Sequence, residues 1–148
     1  MSLETDNAGV YALIVEFTES ACIEVGALGE HDFEPGHYVY VGSAKQHLRQ
    51  RIERHFRHEK TTHWHVDYLT THATCFPRRA LMFDADAMTE CGLNARVAEL
   101  VDGTTPVDGF GASDCTEGCR AHLWRTVAHA ELERLEPVST WNADSVEQ

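Results

Sequence analysis

The first regular pattern along the chain is "GVYALIVEF" (9–17), where β-branched and aromatic residues dominate and alternation puts Tyr11, Leu13, Val15 and Phe17 on one side. It predicts a strand. "CIEVGALGEHDFEPG" (22–36) begins extended and then meets Gly, Asp and Pro-Gly turn signals, so a hairpin or loop excursion follows. "HYVYVG" (37–42) is a second main strand, with Tyr38 and Tyr40 on one face and Val39 and Val41 on the other. From Ser43, an N-cap candidate, the period becomes helical: Leu48, Ile52 and Phe56 recur every four residues as an apolar stripe. Arg51 and His55 lie one turn apart beside that stripe, whereas Arg49, Arg54 and Arg57 point away from it, towards solvent.

Further on, "HWHVDYL" (63–69) fits either a strand edge or a helix start. "ATCFPRRALMF" (73–83) predicts a strand broken or bulged near Pro77. "DAMTECGLNARVAELV" (86–101) predicts a helix with Met88, Cys91, Ala95 and Ala98 on one face. A turn-rich stretch precedes "AHLWRTVAH" (121–129), the last predicted strand. These elements add up to one α+β domain over residues 8–130: a small, mainly antiparallel sheet of about three core strands, flanking helices and an inserted hairpin. The polar, aperiodic ends, 1–7 and 136–148, are expected to be flexible.

A length of 148 residues suits one domain. No run of 18 apolar residues and no signal pattern occurs, so the expectation is a cytoplasmic protein without membrane contact. Twenty-four acids against twelve bases give a net charge of −12, and the only lysines are Lys45 and Lys60. That acidic, lysine-poor balance is expected of a cytosolic protein from an extreme halophile, the alternative being an ordinary acidic protein, and taken alone it argues against nucleic-acid binding. Yet half of the twelve bases fall between Lys45 and Lys60, together with His47, His55 and His58 and against only Glu53 and Glu59. Such a strip is a docking surface for a polyanion, with Lys45, Arg49, Arg54 and Arg57 as candidate nucleic-acid contacts; the alternative is a solvated helix face. In molar salt the Debye length is only about 3 Å, so phosphate contacts would be made at touching distance. Five cysteines, odd in number and irregularly spaced, fit reduced thiols better than a disulfide framework.

Gly9-Val10-Tyr11 and Tyr40-Val41-Gly42, each on a predicted strand, followed by "SAKQHLRQRIERH" with Arg51 and His55 four apart, resemble the GIY-YIG nuclease superfamily. The wider set "VGALG", "PGHYVYVGSA", "RIERHFR", "HWHVDYL", Glu90-Cys91-x-Leu93 and "GFGASDC" with its following Cys and "HLW" resembles the DUF123 branch, whose members occur alone or joined to endonuclease III-like repair proteins. The resemblance implies a metal-dependent endonuclease acting on DNA, in repair or on branched structures, with a repair protein as a possible partner. Carried over, it makes Tyr11, Tyr40, Arg51 and His55 the catalytic set and Glu90 the ligand of one Mg²⁺ or Mn²⁺. Gly42, His65 and Asp67 would be supporting residues. Tyr11 would be the base or the water-positioning group, and Tyr40 would orient the phosphate.

The chemistry suits those residue types. A phosphodiester gains negative charge in its transition state, and a guanidinium can fork two of its oxygens. Mg²⁺ prefers oxygen ligands and needs only one or two carboxylates. A tyrosine, with an ordinary pKa near 10, becomes a base only when a nearby cation lowers that value. Two other constellations compete. His63, His65 and Asp67 would share a face if extended, a metal-compatible spacing, or else they support a core anchored by Trp64 and Tyr68. Cys115, Cys119 and His122, with Cys91 as a fourth, form a Cys-x₃-Cys-x₂-His cluster of possible zinc ligands. Two further functional readings therefore stand beside the nuclease: a catalytically silent nucleic-acid-binding module, and a zinc-stabilised interaction protein.

Overall fold

The computed structural model describes residues 8–86, 88–101, 104–112, 117–127 and 129–142. Its centre is β1 (Gly9–Phe17), paired antiparallel on one side with β4 (Gly36–Ala44) and on the other with β5 (Cys75–Asp84). β6 (Leu123–Thr126) extends the sheet beyond β4, and β7 (Ser139–Asn142) extends it beyond β5. The order is β6-β4-β1-β5-β7, antiparallel throughout. A separate hairpin, β2 (Ala21–Glu24) with β3 (Glu30–Phe33), fills the excursion between β1 and β4. The mixed α+β architecture and the inserted hairpin follow the sequence pattern; among the described residues the sheet has five strands, the three long ones, β4, β1 and β5, at its centre and the short β6 and β7 at its edges.

Both faces of the sheet are covered, which is why β1 and β4 read as almost unbroken apolar runs. One face buries Tyr11, Leu13, Val15, Tyr38 and Tyr40 under α1 (Leu48–Phe56) and α2 (His65–Thr70). The other buries Val10, Ala12, Ile14, Val39 and Val41 under α3 (Glu90–Val101) and a short 3₁₀ helix, His129–Leu135. The two-residue period of the strands thus sorts one sequence into two cores. At about 25 cal/mol per Å² of apolar surface removed from water, burying side chains such as Leu13, Ile14 and Ile52, all at 0% exposure, contributes roughly 1.5–3 kcal/mol each.

Several elements differ from expectation. Ser43 does not cap α1, because β4 continues to Ala44; His47, in the left-handed region at φ 57°, precedes the helix instead. "HWHVDYL" is helical from His65, so His63, His65 and Asp67 do not share an extended face. The expected irregularity near Pro77 is present: pairing with β1 skips Arg78 between Pro77 and Arg79. Helix α3 buries Leu93, Asn94, Val97 and Val101, while Ala95, grouped by the helical period with Met88, Cys91 and Ala98, is exposed. β6 is not the last strand, since β7 pairs with β5. The ordered sheet therefore extends beyond residue 130 and into the stretch 136–142 that was expected to be flexible; residues 1–7 and 143–148 lie outside the described residues. Among the described residues, no helix is long and apolar enough to cross a membrane.

Candidate active-site cleft

In the β1–β4 register Tyr11 faces Gly42. The tyrosine side chain lies across that glycine so closely that a Cβ there would stand 2.6 Å from Tyr11 Oη and 3.0 Å from Tyr40 Cε2. Glycine at 42 is thus a packing requirement. Tyr11 is 1% exposed and its hydroxyl meets Nε2 of His55 at 2.5 Å, a fully buried contact supplied by the inward side of α1. Burial drives the His55 pKa down to about 3, with the charge of Lys60 adding to the effect. His55 is therefore neutral, and in the tautomer protonated on Nδ1 its Nε2 accepts a hydrogen bond from the Tyr11 hydroxyl. Burial also raises the Tyr11 pKa well above its ordinary value, more than Arg51 lowers it.

Above this pair is a cleft of about 1030 Å³, lined among others by Tyr40, Ser43, Lys45, His47, Arg51, Trp64, Glu90, Gly111 and His122. Arg51, half-buried, donates from Nη1 to the Ser43 carbonyl at 2.6 Å, and its Cζ stacks 4.5 Å from the Trp64 ring. A guanidinium has five N–H donors, so the remaining ones are available to a ligand. Tyr40 has its pKa raised by burial first and by Glu90 second. Its hydroxyl stays protonated.

Glu90 opens α3, where Thr89 Oγ1 caps the first turn by accepting the Gly92 N–H at 2.9 Å. Farther along α3, Asn94 donates to the Ala121 carbonyl and accepts from Trp124 Nε1, both at 2.8 Å and buried, which aligns the helix with the chain entering β6. Glu90 thereby reaches His122: Oε2 lies 2.8 Å from Nδ1, while Oε1 accepts a short hydrogen bond from Ser43 Oγ. Burial alone would raise the Glu90 pKa, but the His122 and Ser43 hydrogen bonds and the Arg51 charge together bring it below its ordinary value. Each carboxylate oxygen has two lone pairs, so one hydrogen bond apiece leaves room for a hard cation.

The strip of predicted nucleic-acid contacts divides. Lys45, Arg49 and Arg57 are exposed, Lys45 at the cleft and Arg49 stacked 4.7 Å from Trp141. Arg54, expected in solvent, is half-buried: it donates to Asp67 Oδ1 at 2.9 Å and to the Thr61 carbonyl at 2.7 Å, and it stacks on Trp64 at 4.6 Å. Asp67, fully buried, also accepts the backbone N–H groups of His63 and Trp64, tying down the start of α2. Burial opposes its charge, yet the Arg54 bond and these two N–H groups keep its pKa below the ordinary value. His63 is exposed. His65 accepts the Gly111 N–H at Nδ1, 2.8 Å away, which holds the "GFG" corner against the cleft.

Gly111 has φ +70°, and a Cβ there would be 2.9 Å from Tyr40 Cε1 and 3.2 Å from His122 Cβ. The same segment is laced to the residues leading into β6 by Gly109 N–H to Arg120 O and His122 N–H to Phe110 O, at 2.8 and 2.7 Å. Cys119 and His122 come close to Cys91, whereas Cys115 lies outside the described residues.

The structure thus brings Tyr40, Arg51 and Glu90 to one cleft, places Tyr11 and His55 beneath it, and uses Asp67 and His65 to hold its walls. Ser43, Trp64 and Gly111 were not singled out from the sequence as site residues. Ser43 and Trp64 are each adjacent to a motif residue, and Gly111 stands in the quoted "GFGASDC" corner, so adjacency was the available signal. The family model described as a domain of unknown function, DUF123, matches residues 10–140. The chain belongs to the DUF123 family. No curated protein and no solved structure matches it. For this DUF123 domain the matched span includes every cleft residue described above, and it ends inside β7.

Proposed function

We propose that this DUF123 chain is a GIY-YIG-type, divalent-metal-dependent endonuclease that hydrolyses DNA phosphodiester bonds, in repair or in the processing of branched structures. The observation that carries this reading is that Tyr40, Arg51 and Glu90, from three separate elements, line one cleft. A cation-binding carboxylate beside a guanidinium and a hydroxyl is the set that phosphodiester hydrolysis calls on.

In this reading Arg51, pre-aimed by its Ser43 and Trp64 contacts, forks the phosphate oxygens and stabilises the charge that develops on them. The protonated Tyr40 hydroxyl donates to the phosphate and orients it. Tyr11, expected as the base or the water-positioning group, and His55 are both buried beneath the cleft, so in this reading they act as positioning residues: they support the floor under Tyr40 and fix β1 to α1. Glu90 would hold Mg²⁺ or Mn²⁺, which when bound supplies charge neutralisation at the phosphate. Lys45 and the exposed arginines 49 and 57 would follow the DNA backbone. The acidic remainder fits a halophilic archaeal cytoplasm, and an endonuclease III-like repair protein is the proposed partner class.

A second reading has its own support. Both Glu90 oxygens already carry a hydrogen bond, from Ser43 and in the pair with His122, which suits a silent nucleic-acid-binding module equally well. The two part on a cleavage assay with labelled single-stranded, duplex, flap and branched DNA in high KCl. Products that require Mg²⁺ or Mn²⁺ and disappear with EDTA support the nuclease, whereas binding without products supports the module.

A further inference from the structure

Cys91, Cys119 and His122 come from three different places: the first turn of α3, the loop after residue 112, and the residue before β6. Their candidate ligand atoms all lie within 4.8 Å of one another. Two sulfurs and one imidazole are a soft donor set, which Mg²⁺ and Mn²⁺ pass over and zinc prefers. Around a tetrahedral zinc, with Zn–S about 2.3 Å and Zn–N about 2.0 Å, neighbouring ligand atoms stand about 3.5–3.8 Å apart. Closing from the observed spacing therefore takes shifts of about 1 Å or less.

Glu90 supplies the second, independent observation. Its Oε2 stands 2.8 Å from Nδ1 of His122, which fixes the ring and assigns Nε2 as the ligating atom of the proposed site. A carboxylate on the far nitrogen of a metal-ligating histidine is the usual outer support of such sites. Gly118, at φ +79°, supplies the turn that brings Cys119 round. We propose that Cys91, Cys119 and His122 form a zinc site that pins the loop ending at His122 to the start of α3, with Glu90 as its outer support. The sequence had grouped Cys119 and His122 with Cys115 and offered Cys91 as a fourth; the structure brings Cys91 to Cys119 and His122, and Cys115 lies outside the described residues. Cys91 and His122 line the cleft, so the proposed site borders it. The site stands whether or not the cleft cuts DNA.

The test uses the full chain, purified under reducing conditions, with metal content measured and Co²⁺ titrated into the chelator-stripped protein. The expected result is one zinc per chain and a cobalt adduct with thiolate charge-transfer absorption and tetrahedral bands. A hard site at Glu90 cannot produce a sulfur band, so the two metals are told apart. Cys91→Ser and Cys119→Ser should each weaken that band and lower the affinity, and Glu90→Gln should lower the affinity about 10–100-fold. Cys22→Ser, outside the cluster, should leave both unchanged. A folded wild-type chain without metal or cobalt spectrum would overturn the proposal, as would a Cys91–Cys119 disulfide in non-reduced peptide maps, or a spectrum indifferent to both Ser variants.

Discussion

At the scale of single residues, Gly42 shows how a motif letter becomes a physical constraint. Its missing Cβ is the space that Tyr11 occupies. Gly42→Ala should therefore cost about 1–3 kcal/mol, the usual price of overpacking a filled site, and a thermal melt against wild type reads it; an unchanged melting temperature contradicts the packing. His55 gives a pH signature. Its folded pKa near 3 lies below its ordinary 6.5, so between those values the unfolded chain binds a proton that the folded chain refuses. Stability is full above pH 6.5 and falls as pH drops, by at most about 1.4 kcal/mol per unit for this one group. His65 and His129 are lowered too and add to the trend, whereas Asp67 and Glu90 lose their contribution only below their ordinary values of 3.8 and 4.5. Urea midpoints between pH 6.5 and 4.5 should therefore decline in wild type and decline less in His55→Gln. Equal slopes would mean that His55 is charged or solvated in the folded state.

Among elements, α2 is the one whose formation depends most on a single side chain. At six residues it is too short to stand on propensity, and Asp67 compensates by taking two N–H groups and Arg54 at its buried start. Asp67→Ala removes a cap and a charged hydrogen bond together, so a loss of about 2–4 kcal/mol is expected in urea unfolding; a loss under about 0.5 kcal/mol, typical of a surface change, would contradict this role. The same comparison explains what was legible beforehand. Strands β1 and β4, the hairpin and the skipped Arg78 were readable because alternation, turn residues and Pro77 are local signals. Strand β7 was not, since of its four residues only Trp141 is buried and its partner, β5, lies far back in the chain. The buried face of α3 was misjudged because Asn94, a polar residue, sits in the core to bridge Ala121 and Trp124. Arg54 looked solvent-facing because helical periodicity describes α1 alone, whereas its partners Trp64 and Asp67 arrive with α2.

For the whole molecule, the distribution of charge and the convergence of elements decide the reading. A chain of net charge −12 repels a polyanion on most of its surface, so a DNA-binding role depends on one basic edge beside one cleft. The two tripeptides, the α1 arginine and the first residue of α3 were separate motifs in sequence; the sheet order and the α3–β6 alignment bring Tyr40, Arg51 and Glu90 into a shared wall. The measurement that tests this most directly is Mg²⁺-dependent cleavage of labelled branched and flap DNA by wild type, Arg51→Ala and Glu90→Ala, each checked for cooperative unfolding. On the nuclease reading wild type gives products, Arg51→Ala gives about 10²–10³-fold less, as for loss of a donor to developing charge, and Glu90→Ala gives none. Wild type without products on any substrate, or folded variants as active as wild type, would contradict it.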